Sequence, residues 1–101
     1  MSFTHELKCD ANPFALVWGG HKRFEVRKDD RGFRCNDFLL LREHSRVDDE
    51  GLYSGREIHC VITCIIRGYG LREGYVVLGI GDLKCWEVRS RDMFLPTQEK
   101  L

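Results

Sequence analysis

Three charged side chains within six residues, Lys22, Glu25 and Arg27 in the stretch GGHKRFEVR (residues 19–27), have the types and spacing to do chemistry together. If residues 24–27 form a strand, Glu25 and Arg27 project from the same side, because strand side chains alternate faces. A carboxylate beside a guanidinium keeps its geometry through charge-assisted hydrogen bonds, and Lys22 in the preceding turn adds a mobile cation. Such a set can grip a planar polar ligand such as a nucleobase with its phosphate, the acid accepting from amino groups and the cations donating to oxygens. It can also be catalytic, with Lys22 neutralised by burial as base or nucleophile and Glu25 as acid or base. The third possibility is a solvated strand face carrying a cross-strand ion pair.

The elements that must position these groups read as a mostly β, α+β chain. In HELKC, Glu6 and Lys8 alternate with Leu7 and Cys9, a short strand. DANPFALVWGG predicts a helix of about two turns. Asp10 or Asn12 caps its start, Pro13 fits its first turn, Phe14, Leu16, Val17 and Trp18 form its apolar face, and Gly19 or Gly20 ends it in a left-handed conformation. The next strand carries Phe24 and Val26 on one face and Arg23, Glu25 and Arg27 on the other. KDDRG is a turn, DFLLLRE a strand apolar enough to be buried on both faces, and HSRVDDEGLYSG a polar hairpin loop. Arg56 to Arg67, rich in β-branched residues, predicts a long strand, GYGLREG breaks it, and YVVLGIGD is another. Residues 83–101 add one more strand through Trp86 and Val88, then a tail after Pro96. The order suits a mostly antiparallel sheet of five to six strands, curled into a small barrel with the short helix after the first strand covering one end.

The 101 residues read as a single domain with one modest core. In a domain of this size Phe14, Phe24, Phe33 and Phe38 are core by default. Trp18 and Tyr75 are the aromatics that could instead stack a base in a cleft. Hydrophobic residues at 43% and charged residues at 32% describe a globular chain with no apolar run long enough for a membrane span. With no secretory signal pattern, the expectation is a cytoplasmic protein whose five cysteines stay reduced. The four histidines lack metal-binding spacing, so no metal or other cofactor is expected, and Cys60 and Cys64 read as small buried hydrophobes on one side of a strand. Net charge is zero, but His21 to Arg34 holds six basic residues against three acidic, a net +3, while Arg42 to Glu57 holds three basic against five acidic. A positive side of this kind draws in a phosphate backbone, with Lys28, Arg31 and Arg34 guiding phosphates.

GGHKRFEVR resembles the Gly-x-Lys-x-x-Glu-x-Arg signature of ASCH domains, which share a PUA-like β-barrel fold and are generally regarded as RNA-binding. The similarity extends in the same order through His5-Glu6-Leu7-Lys8, FEVRKDDRGF into NDFLLLRE, GREI and GYVVL, like a subgroup of small phage and bacterial ASCH-like proteins, over roughly residues 5 to 81. The resemblance implies that Gly20, Lys22, Glu25 and Arg27 line a cleft between barrel and helix. Where that family has Gly-Asp before the third strand, this chain has Asn36-Asp37, and asparagine tolerates the left-handed turn.

Some ASCH-like proteins resemble amide hydrolases of acylated nucleosides that use a Lys-x-x-Thr hydroxyl, but position 25 here is glutamate. That mechanism would require Thr63 or Ser54 in the cleft. RNA cleavage would require a general base from Glu25, His5 or His21. The leading expectation is an RNA- or nucleotide-binding module. The alternatives are a small hydrolase with Lys22 and Glu25 as its working pair, and a phage-type protein that binds a host protein through the acidic loop around Asp48 to Glu50.

Overall fold

A computed structural model describes residues 2–45, 52–90 and 93–96. The elements follow as β1 (Thr4–Asp10), α1 (Ala11–Trp18), β2 (Phe24–Lys28), β3 (Phe38–Ser45), β4 (Leu52–Ile66), β5 (Tyr75–Ser90) and β6 (Met93–Pro96). The sheet runs in the order β1-β3-β4-β5-β2, with β6 on β5. The fold is therefore mostly β, with the short helix directly after the first strand, and the five-strand sheet is curled into a half-barrel. β1 lies parallel to β3, and the other pairs are antiparallel.

Alternation builds the core. Leu7 and Cys9 of β1, Leu39 and Leu41 of β3, Ile58, Cys60 and Ile62 of β4, and Val76, Leu78 and Ile80 of β5 all point inward and are buried. Phe14, Val17 and Trp18 of α1 close the same core, joined by Phe33. Only one face of the sheet is covered, which corrects the reading of residues 37–43 as buried on both faces. Leu40 is half-buried and Phe38 is 48% exposed.

Bulges explain three further departures from the sequence reading. Between Ile62 and Cys64 β4 gains one residue on its partner, so Thr63 and Cys64 both face outward and Cys64 is exposed rather than buried. Between Gly81 and Lys84 the extra residue belongs to β5, and Asp82 takes φ 56° there. Gly81-Asp82, the end of the strand read from the sequence, is thus a kink inside one continuous 16-residue strand, and Trp86 and Val88 lie on its extension rather than on a separate strand. Leu52 to Gly55, expected in the polar loop, already pair as strand, Tyr53 with His44. The acidic Asp48 to Glu50 and the expected tail after Pro96 lie outside the described residues.

A buried aspartate ties the start of β1 to the turn before β3. Asn36 adopts the expected left-handed conformation at φ 74°, and its N–H donates to the Ile62 carbonyl at 2.8 Å. The Asp37 carboxylate, 2% exposed, accepts from the backbone N–H groups of Phe3 (3.2 Å) and Arg34 (3.1 Å) and from His5 Nε2 (2.8 Å). The His5 ring in turn meets Phe33 edge-on at 4.8 Å.

The His5 bond above all, with the two N–H groups, holds the Asp37 carboxyl below its ordinary 3.8 against the opposing push of burial. A depressed carboxyl contributes stability that is present above its unfolded value and lost as pH falls through the folded one. Asp37→Asn turns one acceptor into a donor facing another donor, so urea unfolding at pH 7 is expected to show a loss of about 1 to 3 kcal/mol. The wild type should also lose stability more steeply than Asp37→Asn as the pH is lowered from 6 to 3.

Candidate functional site at the seam of the sheet

The end of α1 sets the position of Lys22. Gly20 takes φ 81°, the Gly20 N–H donates to the Val17 carbonyl (3.0 Å) and the His21 N–H to the Leu16 carbonyl (2.9 Å). This paired closure of a helix end requires a left-handed residue just past the cap, which is why glycine stands there. The Lys22 N–H donates to the same Leu16 carbonyl at 3.0 Å, so the lysine backbone is fixed to the helix before β2 begins.

β2 pairs with β5 along one edge, and β1 and β2 are the two ends of the strand order, sharing no ladder. The sheet curls until these free edges face each other, and Cys9 Sγ of β1 comes within 3.8 Å of Glu25 Oε1 of β2. Glu25 lies opposite the buried Leu78 and is itself 2% exposed. The inward face of β2 is therefore the charged one. Phe24 and Val26 point outward at 44% and 47% exposure, which corrects the placement of Phe24 in the core and excludes a solvated face for Glu25.

Glu25 is surrounded by donors. Lys22 Nζ donates to Oε2 at 2.7 Å, Arg27 donates to Oε1 through Nε (3.1 Å) and Nη2 (2.7 Å), and the Cys9 thiol donates to Oε1 at 3.8 Å. A carboxylate has about four lone-pair sites; the bonds from Arg27 and Cys9 crowd Oε1, while Oε2 accepts from Lys22 and keeps a second site. The two cations keep spare donors: of three N–H groups on Lys22 one is taken, and of five on Arg27 two are taken. The Lys22 ammonium also sits 5.0 Å from the Phe24 ring centroid.

Beside this cluster the seam opens into a recess of about 300 Å³. Lys8, Cys9, Asp10 and Pro13 form one wall, and Lys22, Glu25, Val26 and Arg27 the other. That volume is at the lower end of the range, about 300 to 1,000 Å³, of small-molecule sites. Three cations against two carboxylates leave it with one positive charge in excess.

The structure thus brings Lys22, Glu25 and Arg27 together around a hollow, with Gly20 acting through the turn rather than through the lining. Lys28 is exposed at the end of β2, and Arg34 is exposed in the Asp37 turn; neither lines the recess. Thr63 faces the outer side of the sheet near Gly79, the residue opposite Phe24, and exposed Ser54 accepts from the Arg56 N–H, so neither hydroxyl is in the seam. His5 is bound to Asp37, four residues before Cys9 on β1 and so about 13 Å from it. His21 is exposed in the turn beside Gly19. Trp18 and Tyr75 are outside the lining, Trp18 in the core. Lys8, Cys9, Asp10 and Pro13 were not foreseen as site residues. Alternation marks Lys8 as facing away from Leu7 and Cys9, but nothing local says that β1 meets β2.

Burial and the Glu25 charge push the Cys9 thiol up to about 12, so it stays a neutral donor at physiological pH. Cys60 is likewise raised to about 12, chiefly by burial.

The fold and site together define a small, mostly β domain with a charged cleft at the unclosed seam of a curled sheet. The chain belongs to the family described as a domain of unknown function, DUF3850, whose model matches residues 4–80, a span that contains β1, α1 and the whole cluster. It is similar to an uncharacterized 12.9 kDa protein in the GpA 3′ region of Escherichia phage P2, at 37% identity over 78 residues, covering 77% of this chain and 68% of the relative. Among the described residues no helix is long and apolar enough to cross a membrane.

Two outcomes check this geometry. Glu25→Gln removes the charge that holds Lys22 and Arg27, and breaking such a buried pair is expected to cost about 3 to 5 kcal/mol in denaturant unfolding. A thiol reagent at pH 8 should modify exposed Cys35 and Cys64 readily and leave Cys9 and Cys60 intact until the protein is unfolded, as read by peptide mass spectrometry. A thiol raised from 9.0 to about 12 stays protonated in the fold while the unfolded chain ionises, so these two cysteines should erode stability as pH rises from 9 to 12, not below 9.

Proposed function

We propose that this protein is a cytoplasmic binding module for single-stranded RNA or a nucleotide, with Lys22 and Arg27 as the ligand-contacting groups on a Glu25 anchor. The observation that carries this reading is the buried Glu25 carboxylate, which fixes Lys22 and Arg27 by charge-assisted hydrogen bonds while the two cations retain free N–H groups at the recess. A ligand there meets the free N–H groups of these cations, which bind oxygens such as base carbonyls and phosphates, and Glu25 positions the cations for that contact.

The resemblance of residues 19–27 to the ASCH signature and the +3 segment from His21 to Arg34 support the same reading. A hydrolase reading is less well supported. The two candidate hydroxyls, of Thr63 and Ser54, lie outside the seam.

The test is fluorescence titration of a labelled single-stranded RNA against the wild type, Lys22→Gln and Arg27→Gln, with folding verified by thermal unfolding. Loss of one charged hydrogen bond predicts weakening by roughly 10- to 100-fold in each variant, shrinking at high salt. Equal binding by all three proteins, or none by the wild type, would remove the proposal. Turnover of acylated cytidine that disappears in Glu25→Gln would replace binding by hydrolysis.

A further inference from the structure

We infer that the ligand of the seam carries a phosphate, and that the phosphate sits in a second recess beside the first, against Lys8, Arg27 and Arg31. The inference rests on the reading above and narrows it, from any oxygen-bearing base to a nucleotide or an RNA strand. The second recess, of about 520 Å³, is lined by Glu6, Lys8, Arg27, Arg31 and Tyr53. Lys8 and Arg27 line both hollows, so the two are contiguous and the shared cations stand at their junction.

Arg31 is placed in advance. It leaves the turn after β2, crosses the seam and donates Nη1 to the Glu6 carbonyl of β1 at 2.7 Å. This bond uses one of five guanidinium N–H groups and holds the fork beside Lys8 without neutralising it. Three cations then face a single carboxylate, that of Glu6, which is 58% exposed and 3.5 Å from Arg42 Nη1. The second recess is thus more positive than the first, the order expected if an uncharged base enters one and a phosphate the other.

Tyr53 does not offer an open stacking platform. The Arg42 guanidinium covers its ring at 3.7 Å and His44 meets its edge at 5.0 Å, so this hollow suits an anion better than a second base. Lys22, Arg23, Lys28 and Arg34, the other cations of the basic segment, are absent from its lining.

The test is calorimetric titration of uridine, cytidine, their 3′- and 5′-monophosphates and inorganic phosphate against the wild type, Lys22→Gln, Lys8→Ala and Arg31→Ala. Lys8 and Arg31 are exposed, and thermal unfolding verifies that their variants keep the fold. The monophosphates should bind roughly tenfold or more tightly than the nucleosides at low salt, as one charged hydrogen bond to phosphate predicts. Arg31→Ala, at a residue that lines the second recess and not the first, should remove most of that advantage and leave nucleoside affinity unchanged, whereas Lys8→Ala, at the junction of the two, should weaken the monophosphates more than the nucleosides. Equal affinity for nucleoside and monophosphate, with Lys22→Gln still weakening both, would overturn the phosphate site and leave the binding reading standing. Inorganic phosphate bound as tightly as the nucleotides, sensitive to Lys8→Ala and not to Lys22→Gln, would keep the anion site and remove the reading it rests on. Binding of none of these probes would remove both.

Discussion

A sheet that curls without closing leaves two strand edges facing each other across a gap, and here side chains gathered on one buried carboxylate span it. Glu25 holds Lys22 at 2.7 Å, Arg27 through two bonds and the Cys9 thiol of the opposite edge. Taking a carboxylate out of water costs several kcal/mol unless donors surround it. That constraint reaches outward: the closed helix end must deliver Lys22, the strand period must return Arg27 to the face of Glu25, and the curl must bring Cys9 close. The hollow beside the cluster follows from the same gap, since a hydrogen-bonded pair of strands would have left no room for it.

Two other buried carboxylates show how a small domain spends its polar groups. Asp37 gathers the beginning of β1 and the turn before β3, and Glu57 of β4 pairs with Arg42 of β3 at 3.1 Å. β1 is thus tethered at its start by Asp37 and faces Glu25 near its end, while β3 holds it along its length. The family match from residue 4 to 80 spans both tethers and the seam. The acidic groups hold the basic ones in place, and Lys22 and Arg27, with Lys8 and Arg31, line the recesses at the seam.

Much of the fold was legible because burial alternates with period two. Leu7 and Cys9 alternate with Glu6 and Lys8 in the sequence and point inward as that pattern implies, whereas FLLL and YVVL are continuous apolar runs that read as strands without showing which residues face the core. The left-handed turn at Asn36 and the helix end at the glycines were legible for a stereochemical reason, because few residues tolerate positive φ. Bulges were not legible: Thr63 and Asp82 each add one residue to one strand, and that choice is made by the partner strand across the ladder. β2 misleads in another way. Its apolar residues face out and its charged residues face in, because it forms the lip of a polar cleft rather than a wall of the core.

The amino-acid sequence by itself determined a small, mostly β domain with one short helix after the first strand, and it marked Lys22, Glu25 and Arg27 as one group, because helix caps, strand alternation and charge spacing are local properties. Only the tertiary structure decided that the group faces inward, that Cys9 and Lys8 stand across from it, and that Arg31 joins it while Lys28 and Arg34 do not. Those outcomes depend on how far the sheet curls and which edges meet. The meeting of β1 with β2 joins residues about 16 positions apart that share no ladder, and no short-range pattern encodes such a contact.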